Sequence, residues 1–105
     1  MFLDDKPQGE VTEAPAKKLS EAIRIGAKLS RQCAHKYIDG DAACAFGAAA
    51  LGLGGGLELA KQLHSECNEQ NMAFYKKHGL TITGANDRGS WTREAIADAL
   101  EALGW

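Results

Sequence analysis

Four side chains of this 105-residue chain could together do metal or thiol chemistry: Cys33, His35, His64 and Cys67. Cys33-Ala-His35 and His64-Ser-Glu-Cys67 supply two thiols and two imidazoles, a donor set that tetrahedral zinc accepts. His64 and Cys67, three residues apart, would share one helix face. Small zinc modules usually carry tight Cys-x-x-Cys pairs and fold only with the metal. This chain has enough apolar residues for a core without one, so no metal and no cofactor is expected. A cysteine nucleophile beside a histidine base is the other chemistry these residues could do, but no spacing says which pair would meet. Cys44 lies in a stretch of very small residues, where burial would keep it a protonated, inert thiol. Cys44 and Cys67 read as core residues, since free cysteine is among the most buried types. No catalytic residue can be named, and the reading leans away from an enzyme. A zinc- or thiol-dependent protein using Cys33, His35, His64 and Cys67 is the alternative to the binding role set out below.

Other chemistry is weaker still. Gly54–Gly56, inside GLGGGLELA, places exposed amides before a helix, as anion sites do. The segment before it is Ala-rich and helical rather than a strand, and no Gly-Lys-Ser/Thr follows. Asp39-Gly40-Asp41 has the acids of a calcium loop without its full spacing. SWTREAIADALEALGW resembles the first helix of a helix-turn-helix, but no recognition helix follows. Asn86 and Asp87 are expected to bond backbone amides in the turn before the last helix. With Arg88, Trp91 and Trp105 they are the candidate contacts to a protein partner, because loop tips carry function more often than core positions.

The elements that must hold these groups follow from hydrophobic spacing. The centre is Asp41–Leu53, DAACAFGAAALGL, free of charge after Asp41 and built of small residues. Alanine's helix propensity makes this a short helix over 41–52, with Asp41 as N-cap and Gly52 and Gly54–Gly56 as the stop. Small side chains let neighbouring helices approach closely on several sides. A first helix is expected over 20–33, capped by Ser20, with apolar stripes through Leu19, Ile23, Gly26, Ala27 and Ser30 and through Ile25, Leu29 and Cys33. Tyr37 and Ile38 should anchor the linker that follows. A third helix, 57–77, is expected to bend near Asn68–Asn71 and to end at Gly79. Leu80–Thr83 alternates as an extended connector, and Ala85–Gly89 is a loop by composition. The last helix, 92–103, has Thr92 as N-cap, Trp91 and Ile96 as a hydrophobic staple, and Ile96, Ala99, Leu100 and Leu103 as its inner face. Arg93, Asp98 and Glu101 should face water.

Composition bounds the rest. Apolar content is 45%, charged content 25% and net charge −2, values typical of a soluble globule. That balance gives no basic field for nucleic acid. The charge-free run Ala42–Leu57 is shorter than the roughly 20 residues a bilayer span takes. MFLDDKPQGE lacks the charge pattern of a secretory signal, so a cytoplasmic location is expected. Three cysteines cannot form a complete disulfide framework. Residues 1–18 hold both prolines and only Phe2, Leu3 and Val11 as large apolar groups, and are expected to be a disordered tail. The expectation is an all-α fold: one domain, 19–105, a bundle of about four helices around the Ala/Gly-rich one. No oligomeric state follows from it.

Cys44-Ala45-Phe46-Gly47-Ala48, Asn86-Asp87 and Trp91-Thr92-Arg93-Glu94-Ala95-Ile96-Ala97, taken with Leu19-Ser20-Glu21-Ala22-Ile23, resemble a loose set of small bacterial and phage-related helical proteins. That set shares a Cys-Ala-x-Gly-Ala helix and an Asn-Asp loop before a Thr-Arg-Glu-x-Ile-Ala helix. The resemblance spans roughly residues 19–103 and implies a small helical domain. It brings no activity and no functional residue. Ala99 stands where that pattern has a bulkier, often aromatic residue. The function expected is that of a small soluble accessory or interaction protein.

Overall fold

The first helix and the central one set the architecture, and glycine decides how they meet. The computed structural model describes residues 18–88 and 91–105, so the expected tail over 1–18 lies outside the described residues apart from Lys18, the N-cap of α1. Helix α1 runs Leu19–Leu29 and α2 runs Ala45–Gly52. A Cβ on Gly26 would run into the backbone of Ala48, and one on Gly52 into the backbone of Ala22. Two glycines, one on each helix, therefore let the two backbones touch. Every residue from Ala42 to Ala50 is buried, so α2 is the interior rod that its composition implies.

The chain is mainly helical, as expected, but neither purely α nor four-helical. Among the described residues there are six helices: α1 and α2, then α3 Leu57–Glu66, α4 Asn68–His78, α5 Ile82–Asp87 and α6 Arg93–Ala102. Three two-residue strands lie between α1 and α2: β1 Arg31–Gln32, β2 Ile38–Asp39 and β3 Ala42–Ala43. The sheet order is β1-β3-β2, with β1 parallel and β2 antiparallel to β3.

Each departure from the expected boundaries has a local cause. Helix α1 stops at Leu29 rather than Cys33, because Ser30 turns extended and its hydroxyl donates back to Gly26 O at 2.7 Å. Asp41 does not cap α2. Ala42–Ala43 are drawn into the sheet, Cys44 becomes the N-cap, and Asp41 stays exposed in an ion pair with Arg31 at 2.7 Å. The expected helix 57–77 divides at Cys67, whose ψ of 36° leaves the helical region. The break falls one residue before the expected bend, and Gly79 closes α4 in the left-handed conformation, as expected.

Within the stretch expected to be an extended connector and a loop, residues Ile82–Asp87 are helical. Thr81 Oγ1 accepts from Gly84 N at 3.0 Å as the N-cap of α5. Asn71 Oδ1 takes the Ile82 N–H at 2.8 Å, one of the donors a helix start leaves without a partner. For α6 the expected cap holds: Thr92 Oγ1 accepts from Ala95 N at 3.0 Å.

The core gathers Leu19, Ile23, Phe46, Leu63, Phe74, Ile82, Ile96 and Leu100, all enclosed. Cys67 is buried among them, as its residue type suggests. Helices α1 and α6 pack together and are tied at the surface by Arg24 to Asp98, at 2.8 Å, and to Glu101. Ser20 N and Ser20 Oγ both donate to the main-chain oxygen of Trp105, so the end of α6 caps the start of α1. Among the described residues no helix is long and apolar enough to cross a membrane.

Arg93 is the largest departure from the expected exterior. It is 5% exposed and points inward. Its guanidinium donates to Ala27 O, Ser30 O, Ser30 Oγ, Arg31 O and Ala43 O at 2.8–3.3 Å. These acceptors are the end of α1 and two strands of the sheet. A buried cation facing only carbonyl and hydroxyl oxygens is held by their dipoles and by the negative end of α1. Burial pulls its pKa down, but an arginine starts so high that it stays charged. Nε has no acceptor among the described residues.

Candidate functional site

The side chains with chemistry to offer meet where β3 enters α2. Cys44, at the start of α2, is 4% exposed and lines a cleft of about 330 Å³. The other walls are His35, Lys36 and Tyr37 from the loop after β1, His64 from α3, and Thr83 and Asp87 from α5. A second depression, lined by Tyr37, Lys61, His64, Ser65 and Asn68, adjoins it and shares Tyr37 and His64. That pair is the partition between the two.

The partition is fixed from three sides. Tyr37 Oη and His64 Nδ1 are 2.8 Å apart in a hydrogen bond. The His64 ring stacks on Phe46, with centroids 4.8 Å apart and planes 16° from parallel. Phe46 is fully enclosed in α2. The Tyr37 carbonyl accepts from Cys44 N at 3.0 Å, and Gly47 is bare so that the same carbonyl can pass. Thus the glycine of the Cys-Ala-Phe-Gly-Ala motif seats the tyrosine that holds the histidine.

The opposite wall is a polar tie from α5 to the loop. Asn86 is 1% exposed. Its Nδ2 donates to Cys33 O at 2.8 Å and to Asp87 Oδ1 at 3.1 Å, and its Oδ1 accepts from Gln32 Nε2 at 3.1 Å. Gln32 Nε2 also donates to Trp91 O at 3.0 Å. Asp87 Oδ1 accepts the main-chain N–H of His35 at 3.0 Å, and Asp87 Oδ2 lies 3.6 Å from His35 Nδ1. His35 is the one described non-glycine residue with positive φ, at 66°. Histidine is among the residues that tolerate this region better than most, though it still disfavours it. The aspartate holds the bend in place.

The thiol at the floor is a neutral one. Burial is the main cause that raises the Cys44 pKa, and the N–H groups of Gly47 and Phe46 bonded to the sulfur only partly offset it. A helix N-terminus favours a thiolate, but here desolvation wins. Cys33 is also pushed up, chiefly by burial and then by Asp39, with Arg93 pulling the other way. Cys67 is pushed up to about 12 by burial.

The expected quartet Cys33, His35, His64 and Cys67 is not assembled. Cys67 is enclosed at the α3–α4 joint, while the His35 side chain is 79% exposed on the loop. Among the described residues no group of three or more His, Cys, Asp and Glu side chains could hold a metal ion. Two of the four, His35 and His64, do meet at the cleft, but with Cys44 rather than Cys67.

Of the candidate partner contacts, Asp87 lines the cleft and Asn86 is buried behind it. They bond the loop after β1, more than fifty residues away in sequence, rather than the turn before α6. Arg88 is exposed beside them. Trp91 is half-buried, its ring 5.3 Å from Phe74 and 5.0 Å from His78. Trp105 lies at the start of α1, away from the cleft. Sequence reasoning missed Tyr37, Lys36 and Thr83 as site residues, and Arg93 as the anchor between the end of α1 and the small sheet. Comparison with family models, curated proteins and solved structures finds no match.

Proposed function

We propose that this is a small accessory domain that acts by binding, with the cleft between the β1–β2 loop, α3 and α5 as its recognition site. The observation that carries this reading is the bracing of the cleft's polar groups. His64 is set by Tyr37 and Phe46, and Asp87 by Asn86 and the His35 amide. Prepositioned groups lose little freedom on binding, which is how a small site gains affinity. The cleft volume, about 330 Å³, is at the small end of the range for ligand sites. It suits one side chain of a protein partner or a small polar molecule. Imidazoles, Lys36 and Asp87 around one cleft favour a group that both donates and accepts hydrogen bonds.

A second reading keeps thiol chemistry, because Cys44 faces the same cleft as two histidines. The neutral state of that thiol favours binding over nucleophilic attack. Titration of ¹⁵N-labelled protein with a set of amino-acid amides tests the binding role. Saturable amide shifts clustered at 33–37, 44–47, 64 and 83–87, lost in His64→Ala, support it. Shifts confined to other surfaces overturn it.

A further inference from the structure

We propose that Cys33 and Cys44 form a paired-thiol site that small disulfides oxidise to an intrachain cystine. The parallel register sets Gln32 opposite Ala43. The next residue on each strand is a cysteine. Cys33 N donates to Ala43 O at 3.2 Å, the bond that closes the Gln32–Ala43 pair, so the two cysteines leave the last registered pair side by side. Cys44 is still extended there, at φ −80° and ψ −173°. Neighbouring strands lie about 4.8 Å apart, and registered residues of a parallel pair point to the same face. A cystine needs a Cα separation of about 4.4–6.8 Å, a range that includes the usual spacing of neighbouring strands. The Cys33 sulfur now rests 3.5 Å from Lys36 O, and a turn about its own side-chain bonds redirects it. The Cys33 charge is felt at Cys44, which places the two sulfurs in one electrostatic neighbourhood. Cys67 is the C-cap of α3 and takes no part in the β1–β3 pairing.

The exchange balances in two steps. Cys33, the more accessible thiol, loses its proton, and its sulfur attacks one sulfur of glutathione disulfide. The S–S bond of that molecule breaks, and one glutathione leaves as a thiol carrying the proton. Cys44 then loses its proton and attacks the Cys33 sulfur, breaking the mixed disulfide and releasing the second glutathione. Two protein thiols are oxidised and one small disulfide is reduced. Arg93, whose charge favours the Cys33 thiolate, assists the first step. Both thiols are held above their ordinary pKa, so the rate rises with pH. The ring closed this way carries His35, Lys36 and Tyr37, three walls of the cleft.

The experiment treats the native full chain with glutathione disulfide at mildly alkaline pH and digests it with trypsin after alkylation. Cleavage after Arg31, Lys36, Lys61 and Lys76 puts the three cysteines in three different peptides, 32–36, 37–61 and 62–76. The expected result is a loss of two hydrogens per chain and a single linked pair, 32–36 with 37–61, reversed by dithiothreitol. Cys67→Ser should close the same ring, and Cys44→Ser should stop at a stable glutathione adduct on Cys33. A link to Cys67, an interchain dimer, an adduct on wild-type Cys33 that never closes, or no reaction overturns the proposal.

Discussion

The main chain of Gly26 in α1 lies directly against the main chain of Ala48 in α2, with no side chain between them. Gly52 and Ala22 repeat the arrangement a little over a turn further along. Backbone-to-backbone approach of this kind leaves no flexible atom to move aside. Gly26→Ala or Gly52→Ala should therefore destabilise by about 2–4 kcal/mol, the scale of severe overpacking in a core. Urea denaturation reads the change. A loss below about 0.5 kcal/mol would show that the helices separate freely.

Arg93 has a defined job that lysine cannot perform. Five bonds fan out from two nitrogens of a planar fork, and an ammonium cannot span those acceptors. Arg93→Lys should cost about 2–4 kcal/mol, since several buried carbonyls lose their donor. The comparison that isolates the effect is Glu94→Ala on the exposed side of the same helix, expected within about 0.5 kcal/mol.

Asn86 should be nearly as sensitive. Its amide bonds Cys33 O and Gln32 Nε2 while almost fully enclosed. Asn86→Ala is expected to cost about 2–3 kcal/mol, because both partners are left unsatisfied. Faster amide exchange over 31–44 would show that the tie holds the small sheet in place.

Tyr37→Phe tests the partition of the cleft. The hydrogen bond between Tyr37 Oη and His64 Nδ1 favours one imidazole tautomer over the other. Without that hydrogen bond, long-range ¹⁵N–¹H spectra of His64 should move toward a mixture of tautomers, with about 1 kcal/mol of stability lost. An unchanged spectrum would mean that stacking on Phe46 alone orients the ring.

Alkaline pH should weaken the fold through its thiols. The folded chain holds the Cys67 proton up to about 12, whereas an unfolded thiol ionises near 8.5. The folded pKa is the higher one. The contribution is therefore intact below about pH 8.5 and is lost as pH rises through the interval toward 12. The slope from one such group is at most about 1.4 kcal/mol per pH unit. Cys33 and Cys44 are raised in the same direction, so Cys67→Ala should flatten the decline without abolishing it. Denaturant midpoints at about pH 8 and about pH 10 give the slope.

What the sequence made legible was local. The run of Ala and Gly in α2, the Thr92 cap and the Gly79 stop each depend on neighbours within a turn, and each is found. Arg93 was assigned to water because it is charged. Its position carried the contrary signal: three residues before Ile96 and seven before Leu100, it shares their buried face. Its acceptors lie fifty or more residues away in sequence, beyond any helical pattern. The sheet was invisible for a related reason. Two-residue strands have no periodicity, and β3 is two alanines of a run that reads as helix. Helix α5 had a usable signal in Thr81 and the Asn71 side chain, but its alternation of Leu80, Thr81, Ile82 and Thr83 spoke for an extended chain. The cleft joined His64 to Cys44 through Tyr37, a meeting that no spacing in one dimension could reveal.

Up to its last two residues, helix α2 has no outward side. From Ala45 to Ala50 each residue is enclosed by neighbouring parts of the chain. Excised as a peptide, eight residues of this kind would not hold a helix in water. Its amide protons can reach solvent only when the surrounding shell comes apart. Deuterium uptake at Ala48, Ala49 and Ala50 should thus clock the opening of the entire domain, a built-in gauge against which every substitution above can be calibrated.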